Sequence, residues 1–204
     1  MTVHQIRAGS MEELHRDSGK WAFVDVGFSR ESKTGGLLIH DDVRAAAYTF
    51  DELKKKLCLL ANESSVPLNL VLEAPLSVAF TCAGNPAGRS MEKADAGHRY
   101  WYAGLGCQVT VAAAYLVRAM KDEGLQRDIR LFEGFVSFKV GRDSRSHERD
   151  VLAMRSVAWA DPNARGHTLR PDELAGPHAK RLESAFKVFG FDCQVPPVIV
   201  AGVE

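Results

Sequence analysis

The stretch WAFVDVGF, Trp21 to Phe28, decides how the rest of the chain is read. It is an apolar run interrupted by one acid, Asp25. Continuous apolarity over so short a length is the profile of a strand covered on both faces. Downstream lie two more short strand candidates, Gly35–His40 (GGLLIH) and Val43–Phe50 (VRAAAYTF). Asp41 and Asp42 between them supply turn chemistry, so the pair reads as a hairpin. Asp51–Asn62 (DELKKKLCLLAN) reads as a helix, with Asp51 as its cap and Leu53, Leu57 and Leu60 as its apolar stripe. Upstream, residues 1–20 are polar and weakly patterned, either a frayed arm or a short first strand.

Leu68–Ala74 (LNLVLEA) is a further apolar strand carrying one acid, Glu73, and Pro75 ends its ladder. A long Gly/Pro/Ala-rich loop follows, from Pro75 to about His98; such loops are often functional. Arg99–Glu123 reads as a long helix closed by Gly124, with Gly104 and Gly106 packed closely on the sheet. Asp128–Phe135 (DIRLFEGF) is a fifth strand with Glu133 near its end. After a polar loop, Gly141–Ser146, the segment His147–Trp159 (HERDVLAMRSVAW) is a helix. Pro171–Phe189 reads as helical with an interruption at Gly176-Pro177, and Pro196–Ala201 as a last edge strand. The order is three antiparallel strands, then strands reached through helical crossovers, which pair parallel. The predicted fold is therefore α/β, a mixed five-stranded sheet flanked by helices. It forms a single domain over residues 1–204, with a core of about 21–160 and a C-terminal extension of about 161–204.

Composition limits the alternatives. Of 204 residues, 46% are hydrophobic and 25% charged, an ordinary globular balance. A chain of this size buries about 70% of its unfolded surface and needs no staples. Lys and Arg together number 26, as do Asp and Glu, so the net charge is zero. That removes the basic excess expected of many nucleic-acid binders while leaving room for a local basic groove. Cys58, Cys82, Cys107 and Cys193 form no C-x-x-C pair and are read as reduced thiols of a cytoplasmic protein. The first residues lack the apolar core of a signal peptide, and no apolar run approaches a membrane span, so no membrane partner is expected.

The acids carry the chemistry. Asp25 sits inside the first strand, Glu73 and Glu133 close two later ones, and Asp150 lies in the first turn of a helix, on the same face as His147 three residues earlier. A lone carboxylate buried in a strand needs a partner or a cation. Carboxylates converging without thiolates favour Mg²⁺ or Mn²⁺ over structural zinc. Bland readings exist for each: a solvated strand end for Asp25, turn chemistry for Glu73, and for His147 and Asp150 the general preference for acids at helix starts. Arg142, Arg145 and Arg149, with Arg89, Lys93 and Arg99, can contact phosphates or simply form a salt-bridged surface. Tyr100-Trp101-Tyr102 can stack on bases, though consecutive helical positions put at least one ring in the core. Lys54-Lys55-Lys56 reads as a solubilising face. No phosphate-binding glycine loop and no serine-nucleophile elbow occurs.

Element order and acid placement together resemble the RNase H-like fold over roughly Trp21 to Ala160. The nearest likeness is to a family of predicted RNase H-fold nucleases related to RuvC-type Holliday-junction resolvases. The residues that carry it are VDVGFSR around Asp25, VLEAPLS around Glu73, LFEGFVSF around Glu133 and HERDVLAM around His147 and Asp150. The resemblance implies catalytic roles for Asp25, Glu73, His147 and Asp150. It implies metal ligation by Asp25, Glu73, Glu133 and Asp150, although Leu-Phe stands where that family has His-Pro before the last Glu. The implied activity is phosphodiester hydrolysis by a two-metal mechanism using Mg²⁺ or Mn²⁺. DNA or RNA would be the partner, bound through Arg89, Arg99, Arg142 and Arg145, and the enzyme would act as a homodimer. Two other readings remain. One is a non-catalytic domain of the same fold binding a nucleotide or a protein. The other is a phosphotransferase related to the actin-like ATPases, for which the chain has room for only one of the two domains required.

Overall fold

A computed structural model describes residues 5–29, 31–63, 66–92, 101–136 and 147–202. In chain order its strands and helices are β1 Ile6–Ala8, β2 Lys20–Asp25, β3 Gly35–Ile39, β4 Ala46–Tyr48, α1 Phe50–Asn62, β5 Leu68–Glu73, β6 Ser77–Phe80, β7 Pro86–Ala87, α2 Leu105–Asp122, β8 Ile129–Val136, α3 His147–Ala158, β9 Gly166–Leu169, β10 Arg181–Ser184 and β11 Val198–Ala201. The fold is α/β, built on a mixed eight-stranded sheet in the order β4-β3-β2-β5-β8-β11-β9. β2, β3 and β4 pair antiparallel. β2, β5, β8 and β11 run parallel, and β9 closes the far edge antiparallel. β1 lies parallel to the first half of β8, on the side that β11 continues.

The decisive stretch is buried on both faces, as its composition requires. Ala22, Val24 and Val26 join Leu53, Leu57 and Leu60 of α1 and Leu116 and Val117 of α2 in one core layer. Trp21 and Phe23 point the other way, onto Phe132, Val71 and the α3 residues Val151 and Met154. Side chains alternate across a strand, so every position of β2, β5 and β8 belongs either to the α1/α2 face or to the α3 face. That parity decides which acids meet.

Several sequence expectations are corrected. The sheet has eight strands rather than five, because the C-terminal segment enters it. Val198–Ala201 is buried at every position and lies inside the sheet, between β8 and β9, rather than at an edge. The segment 171–189 is not a broken helix. It holds short 3-10 turns at Pro171–Leu174 and Ala185–Phe189 around β10, which pairs with β6. Pairing with a strand far away in sequence overrides the local helical pattern. The long loop after Pro75 contributes β6 and β7 to that small three-stranded sheet; residues 93–98 lie outside the described residues. Thr49, not Asp51, caps α1. Its side chain accepts from the Glu52 amide at 3.4 Å, and the Thr49 amide donates to Glu52 at 2.9 Å. Asp51 instead pairs with Lys54 and Lys55. The 40–45 connection is longer than a two-residue turn, since β3 ends at Ile39 and β4 starts at Ala46. α2 begins at Leu105, after a 3-10 turn at Trp101–Ala103. The tightness at Gly106 is against Trp101 and Pro75 rather than the sheet: a Cβ there would sit 2.3 Å from the Trp101 carbonyl oxygen.

Among the described residues, no helix is long and apolar enough to cross a membrane. Cys58 and Cys193 are buried while Cys82 and Cys107 are exposed. Burial raises the Cys58 thiol pKa and pushes that of Cys193 up to about 11. A thiol-disulfide exchange reagent at pH 8 is therefore expected to label two cysteines quickly in the native protein and all four after denaturation. Rapid native labelling of more than two would contradict this packing.

Candidate metal centre

Asp25 ends β2 and Glu73 ends β5, and the two are direct partners across the parallel ladder. Both share parity with Phe23 and Val71, so both face α3. α3 starts at His147 and brings Asp150, 2% exposed, down onto them in its first turn. Oxygens of Asp25, Glu73 and Asp150 come within 4.8 Å of one another. The imidazole Nδ1 of His147 is hydrogen-bonded to Asp25 Oδ2, with the His147 side chain 35% exposed and that of Asp25 12%. The N-terminus of α3 adds a favourable field for the acids beneath it. Four residues singled out in the sequence, Asp25, Glu73, His147 and Asp150, are thus brought together.

Two glycines missed by sequence reasoning make the approach possible. Gly36 pairs with Asp25 on one side, and Gly134 pairs with Glu73 on the other. The row across the sheet reads Gly36, Asp25, Glu73, Gly134. A Cβ on Gly36 would lie 2.6 Å from the His147 carbonyl oxygen, and one on Gly134 would lie 2.2 Å from Met154 Sδ. The bare backbone on either side of the acids is what lets α3 settle against the sheet. The signal was present as Gly-Gly at 35–36 and Glu-Gly at 133–134, but its meaning depends on register.

Glu133 is not part of the cluster. It pairs with Leu72, one residue out of step with Glu73, and therefore points to the α1/α2 face. There it is fully buried, accepts the Leu76 amide at 2.8 Å and bonds Arg89 Nη1 at 2.6 Å. Burial pushes its carboxyl pKa up, against Arg89 and the Leu76 amide, which hold it down. Arg89 is corrected with it. Expected to meet phosphate, it is 1% exposed and bonded to Glu133, Ser77 and Glu92. Burial acts to lower the Arg89 pKa, but the two carboxylates outweigh it and the net direction is up. Trp101 and Tyr102 lie against the same guanidinium. Trp101 also packs edge-on to Phe135, and the Tyr102 hydroxyl donates to the Ala79 and Ala87 carbonyls. These two rings are internal supports rather than platforms for bases. Tyr100, Lys93, Arg99, Arg142 and Arg145 lie outside the described residues.

The donor set fits a hard divalent cation: three carboxylates from three elements, adjacent to one imidazole and including no thiol. Comparison of the chain with protein-family models, with curated proteins and with solved structures gave no match.

Proposed function

We propose that this protein is a divalent-metal-dependent nuclease that hydrolyses phosphodiester bonds. Asp25, Glu73 and Asp150 hold Mg²⁺ or Mn²⁺ at the carboxyl end of the parallel strands. The observation that carries this reading is the convergence of three acids from separate elements within 4.8 Å, next to a partly open imidazole. The resemblance to the RNase H-like nucleases supports it, since Asp25, Glu73 and Asp150 are three of the four ligands which that likeness implies. Bound divalent cations, two by the resemblance, would activate water and neutralise the charge that builds on the phosphate and the leaving oxygen.

The chain supplies the rest. The three carboxylates would fix the cation side of the reaction against the carboxyl ends of two central strands. Asp25 orients His147 through Nδ1, leaving Nε2 as the nitrogen that exchanges a proton at the site. Strand ends and the first turn of α3 hold these groups with little freedom, which limits reorganisation during the reaction.

A second reading, a non-catalytic domain binding a nucleotide or a protein, draws on the zero net charge and on the internal placement of Arg89. One pair of measurements separates the two. Calorimetric titration with Mn²⁺ is expected to show binding below millimolar concentration. A panel of branched, single-stranded and hybrid nucleic acids is expected to include at least one substrate cut only when Mg²⁺ or Mn²⁺ is present. Metal binding without any cleavage would favour the second reading, and absence of both would remove the metal centre altogether.

A further inference from the structure

We propose that the buried Arg89–Glu133 pair and Thr110 form a positioning device for Glu73, fixing the turn that follows it so that its carboxylate faces Asp25 and Asp150. The inference rests on the metal-site reading above and extends it to residues on the opposite side of the sheet.

β5 ends in a tight turn centred on Glu73, where the Ala74 amide donates to the Leu72 carbonyl at 2.8 Å. A turn of this kind sets the direction of the side chain at its centre, so whatever holds its exit holds Glu73. Three contacts do so. The Leu76 amide donates to Glu133 Oε2 at 2.8 Å. The Thr110 hydroxyl of α2 lies 2.9 Å from the Pro75 carbonyl oxygen and 2.8 Å from that of Gly106, sharing its one hydrogen between the turn and its own helix. Arg89 Nη1 bridges Glu133 Oε1, at 2.6 Å, and Ser77 Oγ, at 3.0 Å.

Arg89 is itself locked by Glu92. Its Nε and Nη2 donate to Glu92 Oε1 at 3.2 and 3.0 Å, and its backbone amide donates to Oε2 at 3.1 Å. Glu133 points to the opposite face of the sheet from Glu73. It acts from one face of the sheet on a ligand that points from the other, by gripping the chain three residues beyond it. A network with its charges this deeply buried holds a single geometry, because any displacement leaves a charged group without its partner.

Groups that orient a metal ligand typically contribute 10- to 100-fold to metal affinity. Mn²⁺ affinity of the full chain is measured by calorimetry for the wild type, Glu133→Gln, Thr110→Val and Leu57→Ala, with melting temperatures recorded for each. Glu133→Gln is expected to weaken Mn²⁺ binding by roughly 10-fold or more, and Thr110→Val to a smaller extent in the same direction. Glu92 remains to hold Arg89 in the first variant, and the second leaves every charge in place. Leu57→Ala, in the core beneath α1, is expected to lower the melting temperature without changing Mn²⁺ affinity.

Folded Glu133→Gln and Thr110→Val proteins that bind Mn²⁺ like the wild type would overturn the proposal. So would an equal loss of affinity in Leu57→Ala, which would mark the effect as general destabilisation. Should Glu133→Gln fail to fold, Thr110→Val decides. If the wild type itself binds no Mn²⁺, the metal reading fails first, and the positioning role falls with it.

Discussion

The Asp25→Asn protein is expected to lose metal-dependent cleavage by roughly 10³-fold or more, while melting no lower than the wild type in the absence of metal. Asp25 and Glu73 stand directly opposite one another on adjacent parallel strands, with Asp150 laid over both. Like charges in that arrangement repel. Asparagine keeps the shape and can still accept the His147 Nδ1 hydrogen bond, so its chief effect is to remove one negative charge. That relieves the metal-free protein and deprives the cation of a ligand. Several kcal/mol of lost charge stabilisation corresponds to the stated rate loss at 1.36 kcal/mol per decade. Stability supplies an independent readout. At a Mn²⁺ concentration about 100 times its dissociation constant, the wild type should gain about 2.7 kcal/mol, seen as a rise in melting temperature that Asp25→Asn lacks. Undiminished cleavage by the variant, or equal Mn²⁺-induced shifts in both proteins, would refute the assignment.

What the sequence disclosed, and what it hid, follows from how each feature is encoded. Continuous apolarity identifies β2 and β5, because a strand covered on both faces has nowhere to place polar residues except where function or pairing demands them. Asp25 and Glu73 stood out for that reason. α3 was equally legible, and with it the shared face of His147 and Asp150. Parity across the sheet was not. Glu133 and Glu73 both close an apolar strand, yet one step of register sends them to opposite faces, and register is fixed by pairing rather than by composition. Arg89 failed for a related reason. An arginine in a long loop looks exposed until its partners are known, and Glu133 lies 44 positions away, although Glu92 three positions on was a local hint. β9, β10 and β1 are too short to carry a periodic signal. They become strands because β11, β6 and β8 offer them unpaired edges.

Gly36→Ala should be a damaging single-methyl change where α3 meets the sheet. The added carbon would sit 2.6 Å from the carbonyl oxygen of His147 and 3.0 Å from its carbonyl carbon, both backbone atoms of the first residue of α3. Ordinary carbon–oxygen contacts lie near 3.3 Å, so the helix start must withdraw by about 0.7 Å. Overpacking of this kind costs about 1–3 kcal/mol of stability. The functional cost is larger than the stability cost suggests, because the residues displaced are those that carry His147 and Asp150. A misplacement approaching 1 Å can cost about 100-fold in rate, and that is the expected fall in metal-dependent cleavage for Gly36→Ala. Gly134→Ala is the natural contrast. Its new carbon meets Met154 Sδ at 2.2 Å, a closer approach, but the obstacle is an unbranched, adaptable side chain rather than backbone. Gly134→Ala should therefore keep most of its activity and lose less stability than Gly36→Ala. Cleavage rates and melting temperatures of the two variants, measured side by side, test the idea that the approach of α3 to β3 assembles the centre. Wild-type cleavage by Gly36→Ala, or a reversed order of the two variants, would show that the acids are held in place by something other than that approach.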